Sequence, residues 1–359
     1  MEHRNYGIDL SRIAVMLMII IMHILSYGGL LEQARPFTFR YWVVWGIKIA
    51  CYCAVNCYAL ISGYLMWNKY PNIARLLGIW LQVVFYNLVC VVVGNFQFSI
   101  VPDLKSILTC FFPITSYTYW YISSYFGLML FVPILNAALE RVSSYTLRSA
   151  FLIGLLMIFL NRFSPNDAYH LSNGYSLLWL MILYLIGGYF AKYRSLEKID
   201  LRKSVLLFFV SISLTMAWKV ILEYYNSFTS QSFPSDLLFS YTSPTIILAG
   251  IAVFSFFSKV KIPKSLSKAI KSIGTATLGV YIIHMNPIMC HNLLAPIGYP
   301  LVSLHTRAMV PSLLCVTLAI FTVCTIIELV RLWLFRITGV NRLVEKVASR
   351  LAKITVTQQ

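Results

Sequence analysis

Ten long apolar stretches, joined by short polar connections, leave this 359-residue chain few ways to fold. They fall near 8–28, 42–66, 74–96, 119–139, 147–161, 176–191, 204–224, 237–257, 272–291 and 310–335, the fifth being the shortest. Stretches of this size cross the roughly 30 Å hydrocarbon layer of a bilayer as helices. Backbone groups in lipid must bond to one another, which leaves helices for segments this long. Charged residues make up only 11% of the chain, where a soluble protein carries about 25%. The expected class is therefore all-α: a polytopic integral membrane bundle of about ten transmembrane helices. The first apolar run carries Asp9 and Arg12 and lacks a small-residue cleavage site, so it reads as a span and not a signal peptide.

The net charge of +17 raises nucleic acid as a partner, but the basic residues recur in short runs between apolar stretches and form no single patch. With the N-terminus inside, twenty-one of the 29 Lys and Arg fall in cytoplasmic segments and five in outer ones. That bias predicts both termini in the cytoplasm. In this count Arg331 belongs with the cations following the last span, and Lys48 and Lys219 snorkel from span ends. The expected division is 1–339 as the membrane domain and 340–359 as a cytoplasmic tail. In that tail Leu343, Val347, Leu351 and Ile354 recur at helical spacing among basic residues, as in an amphipathic helix lying on membrane lipid. No loop is large enough for a soluble catalytic domain, so any chemistry lies within the bundle.

Within the first span, Arg12 and His23 stand eleven residues apart. That is about three turns, so the two side chains share a helix face about 16 Å apart along the axis. Ionisable groups are costly in a span and mark functional sites. Asp9, three residues before Arg12, can pair with it on the same face. A local ion pair would explain Arg12 alone, and a hydrogen bond to a neighbouring helix would explain His23 alone. A second deep imidazole, His284, ends Gly279-Val280-Tyr281-Ile282-Ile283-His284 in the ninth span, at a depth similar to that of His23.

Weaker signals surround these. Ser62-Gly63-Tyr64 closes the second span, where glycine admits a close neighbour. Arg75 opens the third span at the same surface, as a phosphate anchor or an ordinary flanking cation. Trp120 and Tyr121 open the fourth, as an interfacial belt or a sugar platform. Glu223 and Asp236 lie near the outer surface. Eight cysteines sit mostly in apolar spans, and Cys51, Cys53 and Cys57 lack a second pair, so no metal is expected. The residues alone leave open an enzyme, a transporter or flippase of a small polar solute or lipid-linked sugar, and a membrane sensor. Matched halves with broken helices, a transporter signature, are not evident.

Together these residues resemble acyltransferase family 3, the integral membrane acyltransferases. The resemblance rests on Ile8-Asp9-Leu10-Ser11-Arg12, the spacing from Arg12 to His23, Ser62-Gly63-Tyr64, Trp120-Tyr121 and Leu278-Gly279-Val280-Tyr281-Ile282-Ile283-His284. It departs where Tyr64 replaces a commoner Phe, and where Tyr119 precedes Trp120 in place of a frequent His. The resemblance implies O-acetylation: transfer of an acetyl or other short acyl group from cytoplasmic acetyl-CoA to a hydroxyl of an exported or cell-surface carbohydrate, in a bacterial inner membrane. It implies His23 and His284 as catalytic residues. Arg12, Arg75, Asp9, Ser62, Gly63 and Tyr64 would serve the CoA, and Trp120, Tyr121 and Tyr281 the acceptor. His284 and Tyr281 are also the candidates for stabilising an oxyanion.

Overall fold

The computed structural model describes residues 4–69, 72–164, 166–229 and 233–356, with side chains up to Leu351 in the last helix. Lys353 and Ile354 of the expected amphipathic face, and 357–359 of the tail, lie outside the described side chains. Among the described residues there is no strand. The helices in chain order are α1 (Tyr6–Tyr27), α2 (Phe39–Tyr52), α3 (Ala54–Met66), α4 (Ile73–Phe98), α5 (Leu104–Phe111), α6 (Trp120–Arg141), α7 (Ser144–Asn161) and α8 (Leu177–Lys192). They continue as α9 (Leu201–Phe228), α10 (Pro244–Lys259), α11 (Lys264–His284), α12 (Pro287–Met289), α13 (Ala295–Ser303), α14 (Thr306–Ile337) and α15 (Val340–Val356).

Among the described residues, seven helical segments are long and apolar enough to cross a membrane, with α2 and α3 counted as one 28-residue span. This is a multi-pass membrane protein. The remaining three expected spans correspond to α8 and α10, each of 16 residues, and to a bent pair. That pair departs from the sequence reading. The expected ninth span is not continuous: the chain turns by 69° between Lys264–His284 and Pro287–Ser303. Pro287 has no N–H with which to continue α11, and the Asn286 side chain caps the new helix by accepting from the Ile288 N–H. His284 is thereby the last residue of α11, directly before the turn.

Helix α1 is central, packing against α2, α3, α10, α11 and α14. The most extensive helix contact among the described residues is made by α3 and α8. A Cβ on Gly63 would run into the Tyr184 carbonyl, and one on Gly187 into the Leu60 carbonyl. Lipid supplies little hydrophobic drive between helices, so such backbone approach is what holds them. Asn136 ties α6 to the end of α3 with bonds from Nδ2 to the carbonyls of Met66 (3.1 Å) and Lys69 (2.9 Å), while its Oδ1 accepts from Tyr184. Bonds of this kind between membrane helices contribute about 0.6–1.7 kcal/mol each.

Three cations depart from their expected places. Arg331 is not in a loop, because α14 runs 32 residues and encloses it. It is buried and forks onto Glu328 at 2.6 and 3.0 Å, and Gln82 and Tyr86 of α4 donate to the same carboxylate. Lys219 does not snorkel but is buried beside Glu223 and over the Trp45 ring at 3.7 Å. Lys48 is buried too, with Nζ donating to Ser26 Oγ at 2.6 Å and to the Met22 carbonyl at 3.3 Å. In each case fixed partners replace the water that a snorkelling side chain would seek.

Helix α15 follows Gly339, whose φ of +76° ends α14 in the left-handed region. It leaves Leu343, Val347 and Leu351 exposed.

Candidate functional site

The bundle encloses a cavity of about 460 Å³. Two helical stripes form much of its wall. On α1 these are Arg12, Met16, Ile19, Met22, His23 and Ser26, and on α2 and α3 they are Lys48, Tyr52, Val55, Tyr58, Ile61 and Ser62. Both follow the i, i+3, i+4, i+7 rhythm of a single helix face. The Arg12 and His23 side chains thus do open onto one space. Arg75 of α4, Trp120, Tyr121 and Tyr125 of α6, and Tyr281 of α11 add to the lining, as do Tyr27 of α1 and Tyr175 and Tyr241 from the connections before α8 and α10.

At one end of α1 a pair of imidazoles is locked together. His23 Nδ1 and His284 Nε2 are 3.0 Å apart, and His284 Nδ1 lies 2.6 Å from the Val280 carbonyl. The carbonyl only accepts, so His284 Nδ1 carries a proton. In the neutral ring Nε2 is then bare and accepts from His23 Nδ1–H. The chain of bonds leaves His23 Nε2 with a free lone pair. His23 is half-buried and lines the cavity, whereas His284 is buried behind it and does not. Bound this way, His284 has no N–H left for an oxyanion.

The other end is looser. Asp9 is buried and not part of the cavity wall. It accepts two bonds of 2.8 Å from Arg4 and lies 3.6 Å from Arg12. The Arg4 pKa is pushed up by its hydrogen bonds to the Asp9 carboxylate. Arg12 therefore shares Asp9 with a stronger partner, and its guanidinium stays partly exposed at the wall. Arg75 is exposed and reaches Tyr125 Oη at 3.3 Å. Ser62 lines the cavity and donates to the Tyr58 carbonyl, but Gly63 and Tyr64 do not reach it. Gly63 is spent on α8, and Tyr64 meets the Phe254 ring edge-on at 5.2 Å.

Rings cover the wall near His23. Tyr52 stacks on Tyr241 at 4.4 Å and 13°, and Trp120 lies 4.7 Å from Tyr175. Tyr281 packs against His284 edge-on at 6.1 Å. Just outside this wall Tyr119 donates to Asn87 Oδ1 (3.0 Å) and accepts from Asn286 Nδ2 (3.0 Å), pinning the turn that follows His284. Glu328 presses on Gly279 from α14, where any side chain would collide with its carboxylate. The sequence reading took Lys48 for a snorkelling cation and did not single out Tyr52, Tyr58, Tyr125, Tyr175 or Tyr241. The spacing of Lys48, Tyr52, Val55, Tyr58 and Ser62 was a legible stripe, but nothing in it told a cavity from a helix contact. Among the described residues no group of three or more His, Cys, Asp or Glu side chains is placed to hold a metal ion.

Compared with known families, residues 5–329 match the acyltransferase family 3 model, which is described as an acyltransferase domain. No match was found among curated proteins or among solved structures.

Proposed function

From the premise that this chain belongs to acyltransferase family 3, we propose that it moves an acetyl or other short acyl group from acyl-CoA to a carbohydrate hydroxyl across the bilayer. The observation that carries the reading is a single cavity with two guanidinium groups at one end and a lone-pair imidazole nitrogen at the other. Both termini and the Arg12 end face the cytoplasm in this reading, as the loop charges favour, with ten crossings in a bacterial inner membrane.

The CoA phosphates stay at the cytoplasmic mouth, where Arg12 and Arg75 offer planar forks of donors. The pantetheine arm, roughly 15–20 Å when extended, follows the rise of about 16 Å from Arg12 to His23. The thioester then meets an acceptor arriving from the opposite side. His23 Nε2 takes the hydroxyl proton as the oxygen bonds to the thioester carbonyl carbon. The tetrahedral adduct collapses, the C–S bond breaks, and the departing sulfur takes the proton back from His23 Nε2–H. The products are the ester and free CoA thiol, with His23 neutral as before. Through both transfers His23 Nδ1–H stays bonded to His284, which holds the ring and favours the transient cation. His284 is a positioning residue. Direct transfer needs no acyl-enzyme, and the hydrogen-bond chain supplies the base that it requires.

The test is purified full-length protein in detergent or proteoliposomes, with radiolabelled acetyl-CoA and candidate glycans. Label passing to the glycan is the expected result. Solute uptake with no covalent change would replace this reading with transport.

A further inference from the structure

Beyond His23, away from Arg12, the cavity wall holds a cation that the transfer reaction does not use. Lys48 is 9% exposed, and two of its three ammonium protons go to neutral oxygens, Ser26 Oγ and the Met22 carbonyl. Among the described residues no carboxylate pairs with it. The other buried cations differ: Arg331 has Glu328, and Lys219 has Glu223. A buried charge is costly to keep unless something of opposite sign meets it. Here the open direction is the cavity, which Lys48 and Ser26 both line.

The position selects the partner. Ser26 is fourteen residues from Arg12, about 21 Å along α1, and three residues past His23. A donor whose phosphates rest on Arg12 and whose thioester rests at His23 leaves the Lys48 end to the acceptor. That end is walled by Tyr27, Tyr52, Trp120, Tyr175 and Tyr241, flat faces suited to the C–H faces of a sugar ring.

We propose that this end of the cavity is a subsite for an anionic sugar, with the Lys48 ammonium pairing to a carboxylate of the uronic acid type or to a sugar phosphate. The proposal rests on the acyltransferase reading for calling the ligand an acceptor, but anion binding is measurable without transfer.

The probes are methyl glucuronide, glucose 1-phosphate and neutral methyl glucoside, titrated onto full-length protein in detergent without acyl-CoA. At least one acidic probe is expected to bind on the order of 30-fold tighter than the neutral one, the effect of a buried charge pair. Whichever acid shows the preference identifies the carboxylate or the phosphate as the partner. Lys48→Met and Lys48→Gln are expected to abolish the preference, and Lys48→Arg to keep most of it. The wild-type comparison decides even where a variant does not fold. Equal binding of all three probes, binding of none, or a preference that survives Lys48→Met overturns the subsite. So does a Lys48→Met enzyme whose kcat falls equally with acidic and neutral acceptors at unchanged KM, since the ammonium would then serve the reacting carbonyl. Anion preference without any acyl transfer removes the enzyme reading and leaves the subsite; transfer without preference does the reverse.

Discussion

The two ends of the cavity are both rich in nitrogen, yet they are built differently. At the His23 end three of the four imidazole nitrogens are tied into one chain of bonds that finishes on a main-chain carbonyl, only His23 Nε2 is left open, and the second ring is buried. At the Arg12 end, Arg12 competes with Arg4 for Asp9, and Arg75 stands exposed with a long bond to Tyr125. A proton transfer needs fixed distances, because small misplacements are costly in rate. Holding a flexible, solvated anion needs charge and reach, and guanidinium groups on long stems that keep part of their surface exposed supply both. On the proposed reaction, the contrast fits one end organised for chemistry and the other for capture.

The sharpest way to break this contrast is His23→Ala, which removes the imidazole facing the cavity. Acyl transfer is expected to fall by about 10²–10⁴-fold with membrane insertion intact. Transfer at the wild-type rate in the purified variant would take His23 out of the reaction. Next is His284→Ala, which frees the His23 ring to turn. Its kcat is expected to drop by up to about 10²-fold while the KM for acetyl-CoA holds. An equal rise in donor KM would mean that His284 shapes the binding end as well, and the division between ends would fail.

Arg12→Ala reports on the capture end. Losing a charge-assisted bond that is partly screened is expected to raise donor KM about 10-fold with little change in kcat. A donor KM that does not move would contradict phosphate anchoring there. The smallest effect belongs to Arg75→Ala, about 3-fold in donor KM, because the side chain is exposed. Raising salt from about 0.05 M to 0.5 M should weaken donor binding in the wild type and leave kcat unchanged, since exposed charges are the ones that salt screens. A kcat that falls with salt while donor binding holds would reverse the assignment of the two ends.

The chain's own order of residues determined that it is an all-helical membrane bundle, because hydrocarbon admits few other answers to ten apolar runs. It also determined that Arg12 and His23 share a face, since helix periodicity is a local property. His284 was legible as a second deep imidazole, but its bond to His23 was not, because 261 residues separate the two. Tertiary structure alone decided three further matters. Gly63 went to packing and not to the cavity wall, because α8 needs its backbone. Lys48 turned inward, because Ser26 and Met22 of a neighbouring helix offered it oxygen. The ninth apolar run bent after His284, because Pro287 withdrew an N–H and Asn286, Asn87 and Tyr119 fixed the turn. A sequence specifies which side chains cannot rest in lipid; which partner then receives each of them depends on helices far apart along the chain.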